Sequence, residues 1–456
     1  MTAPQHDLRN PDDVNAQLVA AVMAKDSRAV QARLQDGADP NTSGPDGLPL
    51  LCTAVGGFDH ETAGALTDGG ADSGVVLPDG TTPLLRAVDL GSPALVGATL
   101  GKDPRMRIAE AERQRLLDLA RAWYERGEAE ELRRRTGTSG PATRRLVNDD
   151  EYTDIEEVSL GGLTVRAGHS GVLTDLERAF GVLAPVPELV ARAVPYPDEL
   201  HANWSAVSYA LAFRKSPQAW SDLTALRHHP DPVHRRLLAA VLSSRHFLAN
   251  FHDRPDIAQD VEFLAQWARD EPDGEVLARV LDVYTDYAHP DQEAIGFRYA
   301  GHPDPRVRRE VPYCLIGTPR SEPATTTLLA LARDPDSLVR CVVAQVLAHP
   351  RELTPADRES LLALLQDPDP DVRRRAAESL SSSHDRTAPV TDALAALLDE
   401  EDQNLRLEAA YALAVRDDPR TDEAYERVGP LGPGFEHDHR VSAHWHYKAR
   451  NRPGTT

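Results

Sequence analysis

The sequence is short of most residues and patterns that announce a chemistry. It has three cysteines, Cys52, Cys314 and Cys341, scattered and without a CxxC pair. That argues against a disulfide framework or a thiolate zinc site and fits a reducing compartment. Lysine is nearly absent, with only Lys25, Lys102, Lys215 and Lys448, so arginine carries the positive charge, a matter of genome composition more than function. No apolar run approaches the roughly 18 residues a membrane helix needs. The opening Met1–Asp7 has neither a basic region nor an apolar run, so no signal peptide is expected. There is no Walker A loop, GxSxG, HExxH or usefully placed GxGxxG. Positive charge is in deficit overall: 50 Lys+Arg against 72 Asp+Glu over 456 residues leave −22. Such a field disfavours nucleic acid and anionic membrane and favours partners with a basic surface. These absences predict a cytoplasmic, non-catalytic protein without cofactor or metal.

What the sequence does have is periodicity. Asp367-Pro368-Asp369-Pro370-Asp371-Val372-Arg373 echoes Asp334-Pro335-Asp336-Ser337-Leu338-Val339-Arg340 and His302-Pro303-Asp304-Pro305-Arg306-Val307-Arg308, and it fades into Glu401–Arg406. Counted on Arg308, Arg340, Arg373 and Arg406, the steps are 32, 33 and 33. Leu328, Leu361 and Leu394, and Leu331, Leu364 and Leu397, recur 33 apart on the preceding helices. A fixed period of this size means stacked helical pairs. The segment resembles HEAT repeats, nearer the short variant of bilin-lyase-like proteins. In that family the Asp-Pro turn separates the two helices, and the arginine reaches an acidic residue of an adjacent repeat. The resemblance implies a structural ladder of Asp304, Arg308, Asp336, Arg340, Asp369, Arg373 and Arg406. HEAT-like pairs are expected over 201–428, most regularly over 301–415. Pro312 falls inside a second helix and predicts a kink or early stop near Glu310–Tyr313.

A second period lies near the start. Gly37-Ala38-Asp39 recurs at Gly70-Ala71-Asp72, and Pro45-Asp46-Gly47 at Pro78-Asp79-Gly80, each 33 later. Gly80-Thr81-Thr82-Pro83-Leu84-Leu85-Arg86-Ala87 resembles the ankyrin pattern G-x-T-P-L-H-x-A, with Leu85 where the histidine stands. Leu51 and Ala54, and before them Leu18 and Ala21, keep the register. This implies about three ankyrin-like repeats over 13–101. The expected fold is all-α: two helical-repeat solenoids, ankyrin-like then HEAT-like. A connecting region over 102–200 holds a long helix and a β-hairpin at Val158–Val165 around Gly161-Gly162. Residues 429–456 read as a His-rich tail.

Candidate chemistry is thin. The acidic cluster Asp149, Asp150, Glu151, Asp154, Glu156 and Glu157 lacks the glycine-bearing loop of an oxygen cage and reads as solvated charge. The arginines between 105 and 135 read as a solvated helical face paired with Glu110, Glu112, Asp118, Glu125 and Glu128, the alternative being a docking site for an anionic partner. Arg309, Arg374 and Arg375 could form a local anion-binding stripe, but a ladder with solvated arginines is preferred. His437, His439, His444 and His446 could chelate a transition metal, or Trp445 and Tyr447 could dock the tail on the last repeat. Some HEAT-like proteins are enzymes, but His60-Glu61 is the sole His-Glu pair and lies outside the HEAT-like part. The expected function is a protein–protein interaction scaffold. The alternative is an immunity or inhibitor protein that neutralises a basic toxin or nuclease.

Overall fold

The computed structural model describes residues 11–249, 257–317, 319–348, 352–435 and 438–451. They form two compact units that divide between Asp253 and Arg254, inside the stretch 201–428.

The first unit opens with three helix pairs: α1 (Pro11–Met23) with α2 (Ser27–Gln35), α3 (Leu50–Gly56) with α4 (His60–Asp68), and α5 (Pro83–Leu90) with α6 (Pro93–Leu100). The 33-residue period is visible in the backbone. Each pair turns at a residue of positive φ, namely Lys25 (55°), Phe58 (53°) and Gly91 (73°). The next residue caps the second helix: Asp26 accepts from Ala29 N–H, Asp59 from Thr62 and Ser92 from Leu95. Val30, Leu50, Leu66, Val88 and Leu95 are wholly buried between the pairs. Gly91 is the one turn where only glycine fits. A Cβ there would lie 2.3 Å from the carbonyl oxygen of Arg166, where the connecting region docks.

After α7 (Pro104–Arg107), the expected long helix is two, α8 (Glu110–Arg126) and α9 (Glu128–Thr136), broken at Gly127 with φ 79°. Its arginines pair with acids as expected, but the acid at the centre is one not singled out from the sequence. Arg126, Arg134 and Arg135 converge on Glu131, whose side chain is 4% exposed and whose carboxyl Arg134 above all holds far below the usual carboxylate range. The single hairpin expected is likewise extended. β1 (Thr143–Asn148), β2 (Asp154–Leu160) and β3 (Leu163–Arg166) form an antiparallel meander in the order β1-β2-β3, with Val158 opposite Arg144 and Val165. The acidic cluster hid β1 and the first half of β2, because its carboxylates sit at the β1–β2 turn and along β2. A small core of Trp123, Leu132, Val158, Leu160, Val165 and Ala167 holds the sheet to α8 and α9. α10 (His169–Phe180), α11 (Val186–Ala193), α12 (Ala202–Ala212), α13 (Pro217–Ala225) and α14 (Pro232–Ala249) complete the unit.

The second unit is six helix pairs: α15 (Ile257–Asp270) with α16 (Gly274–Thr285), α17 (Gln292–Tyr299) with α18 (Pro305–Cys314), α19 (Glu322–Leu331) with α20 (Ser337–Leu347), α21 (Pro355–Leu364) with α22 (Pro370–Ser382), α23 (Ala388–Ala396) with α24 (Gln403–Val415), and α25 (Thr421–Val428) with α26 (His439–Arg450). The second helices stack one on the next from α16 to α26. Leu328, Leu361 and Leu394 are wholly buried, as are Val339, Val343 and Val372 opposite them. At about 1.5–3 kcal/mol for each buried aliphatic side chain, this repeated core outweighs any single ion pair. Pro312 lies within α18, which runs two residues further and stops at Cys314.

Candidate functional site

The repeated turn of the second unit is where the charged residues gather. Its second aspartate is a helix cap: Asp304 accepts from Arg306 N–H, Asp336 from Leu338 and Val339, Asp369 from Asp371, and Asp402 from Asn404 and Leu405. The acid that the ladder arginine reaches is a different one. Arg308 grips Asp334 with Nε and Nη2 at 2.7 and 2.8 Å, and Arg340 grips Asp367 at 2.7 Å with both. Arg373 stands 3.6 Å from Glu400. Asp304, Asp336 and Asp369 therefore serve as caps and not as the acids of this ladder, although Asp336 also receives Arg309 at 3.2 Å. The ladder's acidic side is Asp334, Asp367 and Glu400, the first residue of each turn.

That first residue has a second task. Asp334 and Asp367 each accept the N–H two residues on, from Asp336 and Asp369. His229, Glu271, His289 and His302 do the same for Asp231, Asp273, Asp291 and Asp304. A ring nitrogen and a carboxylate oxygen are interchangeable for this local bond, which is why the motif begins with His, Glu or Asp. Each ladder arginine also folds back on its own turn, donating Nη1 to the carbonyls six and five residues earlier. Arg308, Arg340, Arg373 and Arg406 all do this, and so does Arg235 in the first unit. A parallel set of pairs ties the starts of the first helices: Arg320 to Asp357 at 2.8 Å and Arg358 to Asp385 at 2.5 Å.

Each arginine of the suggested anion stripe has an acidic partner within the chain. Arg309 is held by Asp336, Arg374 by Asp371 and Glu378, and Arg375 by Glu378. Nearby, burial and the Asp282 carboxylate push Glu310 up to about 7, with Arg279 and Arg309 pulling the other way. Burial likewise pushes the Cys314 thiol up to about 12, which leaves it inert. Arg340 and Asp367 line a groove of about 540 Å³ with Arg333, Glu359 and Gln366 on its rim.

In the first unit two carboxylates of the acidic cluster, Asp149 and Glu157, are buried, while Glu151 is exposed and Asp150, Asp154 and Glu156 are half-buried. Asp149 is buried and accepts from Ser92 Oγ at 2.6 Å and Ala94 N–H at 2.9 Å. It supplies at α6 the negative charge that Asp26 and Asp59 give the two preceding pairs. Glu156 faces His201 Nε2 at 3.1 Å, and Glu157 bonds Arg145 at 2.7 Å. His169, fully buried, stacks on Trp123 at 4.4 Å and lies 3.3 Å from Glu128. Among the described residues no group of three His, Cys, Asp or Glu is placed to hold a metal ion. His437 lies outside them, as does the opening segment.

The family model described as HEAT repeats matches residues 261–348 and 358–424. Residues 261–424 are a HEAT-like solenoid. Two solved structures are similar to this chain: that of YIBA of E. coli, at 16% identity and TM-score 0.42, covering 57% of this chain and 96% of that one, and that of an engineered protein, at 17% and 0.37, covering 96% and 98%. The curated proteins give no match.

Arg406 donates to the carbonyls of Glu400 and Glu401 of its own turn. What the sequence presents as a tail continues the array: Asp438 caps α26 as the aspartates cap the earlier second helices. His444 is committed to Asp422 at 2.8 Å and stacks on Tyr425, whose hydroxyl donates to the Arg440 carbonyl. Docking runs through Arg440, Ala443 and His444, while Trp445 points into solvent at 66% exposure. No helix among the described residues is long and apolar enough to cross a membrane.

Proposed function

We infer that this chain is a non-catalytic scaffold that binds other proteins through the surfaces of its stacked helix pairs. One observation carries the reading. The charged groups that could have served chemistry or anion binding are paired within the chain, Arg308, Arg309 and Arg340 across neighbouring repeats and Arg375 within α22. A repeat array freed of its own chemistry offers extended surface. Residues 13–101 read as ankyrin-like repeats, supported by the three pairs, their shared turns and their caps at a 33-residue spacing. They hold eleven acids against four cations, Lys25, Arg28, Arg33 and Arg86. Three of the four are engaged internally, by Gly57 O, Asp36 and Asp79. This acidity suits a cytoplasmic partner with a basic surface.

Affinity capture on the full chain at low and at raised salt tests the reading. Basic proteins retained at low salt and released by salt are the expected result. Failure to retain any protein, or turnover by the purified chain, overturns it. The second reading, neutralisation of a basic toxin or nuclease, rests on the same acidic array. It is distinguished by loss of the captured protein's own activity on binding.

A further inference from the structure

β1 is an edge strand. Among the described residues it pairs only with β2, and all of it but Val147 is exposed, Leu146 at 65%. The register fixes which backbone groups look outward. Asp154 N–H donates to the Leu200 carbonyl, and the Glu156 carbonyl accepts from Ala167 N–H, each at 2.8 Å and each on the side of β2 away from β1. In an antiparallel sheet the N–H and C=O of one residue point the same way, and the direction alternates along the strand. Glu156 and Val158 therefore turn from β1, and their partners Leu146 and Arg144 turn from β2.

The row that results is open. Among the described residues nothing bonds to the N–H or C=O of Arg144 or Leu146. The next outward carbonyl, that of Asn148, is taken by Arg166 Nη1 at 2.9 Å. Arg144 and Leu146 thus offer two donors and two acceptors at the spacing of a further strand. A helix uses its backbone groups on itself, so only an extended segment matches this row.

The chemistry of that segment follows from charge. β1 has Arg144 and Arg145 and no acid, while β2, the strand it accepts on its inner edge, has Asp154, Glu156 and Glu157. Arg145 is committed to Glu157. Arg144 has no side-chain hydrogen bond or ion pair among the described residues, and Glu128, the buried acid that feels its charge, faces His169. Arg144 and Leu146 share one face of the sheet, so an antiparallel partner matches them with an acid beside the first and an apolar residue beside the second. Along the partner's own chain that order is apolar-x-acid. A second copy of β1 would bring two arginines from each side to one seam, the kind of charge that keeps edges from pairing with themselves. We propose that the outer edge of β1 takes up an extended apolar-x-acid segment of a partner protein as the fourth strand of the sheet. This surface lies outside the helix pairs, and the proposal does not depend on what they bind.

The probe is a labelled peptide of residues 154–160, which carries the pattern as Ile155-Glu156-Glu157, titrated by anisotropy against the full chain. Beside it run a version with Asp154, Glu156 and Glu157 changed to lysine, and a version N-methylated at Ile155 and Glu157. The second keeps every charge and loses the two N–H groups that face β1. The parent peptide saturates and the other two do not. In the chain, Leu146→Pro removes an N–H that β2 does not use, a change edge strands tolerate. Arg144→Glu reverses the charge of an exposed residue and leaves the thermal melt unchanged. Each weakens binding about fivefold or more. Equal binding of the N-methylated peptide makes the contact one of charge alone and overturns the proposal. So does a lack of saturation at millimolar peptide, or unchanged binding by both variants. A dimer in sedimentation that Leu146→Pro abolishes gives the edge to a second copy and overturns the assigned occupant. None of these outcomes touches capture of basic proteins by the acidic helix pairs, so the two readings fail separately.

Discussion

Replacing Arg340 with alanine should open the solenoid locally, between its third and fourth pairs. The guanidinium makes two 2.7 Å bonds to Asp367 and one of 2.7 Å to the Asp334 carbonyl, and the two ion-paired side chains are only 13% and 7% exposed. An exposed pair contributes about 0–1 kcal/mol, whereas stripping one partner from a buried pair costs about 3–5 kcal/mol because the other charge is stranded. Asp367 keeps the Asp369 N–H at 2.9 Å, and its burial is incomplete. The expected loss is therefore about 2–4 kcal/mol. Asp367→Asn should cost less, about 1–2 kcal/mol, since no charge is left behind. The double variant should fall short of the sum by at least about 0.5 kcal/mol, because the two side chains contact each other. A chain of two units will not unfold in one step, so hydrogen exchange is the suitable assay. Amides of α19–α22 should exchange roughly 30- to 700-fold faster in Arg340→Ala, the equivalent of that free energy at tenfold for each 1.4 kcal/mol. Those of α1–α6 should not change. Unaltered protection in α19–α22, or strict additivity in the double variant, would refute the claim that the pair joins the repeats.

Further outcomes follow from single sites. Glu310 has its folded pKa raised to about 7, so the folded state binds the extra proton, and stability falls as pH rises from the ordinary carboxylate value through 7. Glu310→Gln should remove that decline and stabilise the second unit by about 1–2 kcal/mol at pH 8, read by urea unfolding at pH 5 and pH 8. A destabilised variant at pH 8 would contradict the assignment. Gly91→Ala should cost about 3 kcal/mol or more, since a Cβ there meets the Arg166 carbonyl at 2.3 Å. At Gly47, with φ 76° and open space around it, the same change should cost only the backbone strain of about 1–2 kcal/mol, so the two melting temperatures should separate clearly. Asp149→Ala leaves the Ser92 hydroxyl and the Ala94 N–H without their buried acceptor and should cost about 1–3 kcal/mol, with faster exchange in α6 and β1.

The sequence by itself determined the periods, and with them the all-α stacking and the order of its parts. Leu328, Leu361 and Leu394 had to share one environment because each repeat meets the same neighbours. Asp-Pro before a valine and an arginine had to be a turn and a capped helix, since the proline ends one helix and the aspartate starts the next. Only the tertiary structure decided which carboxylate each arginine takes. Asp334 and Asp336 are the same residue two positions apart, and the choice depends on how far Arg308 reaches across a packed interface. It also decided that Asp149 caps α6 from 55 residues away, that β1 joins the hairpin, and that α26 turns its valine and tryptophan outward. Local patterns repeat whether or not a neighbour is present, while burial and pairing belong to the neighbour. At α26 the sequence kept core residue types, and the fold leaves Val441 at 37% and Trp445 at 66% exposure.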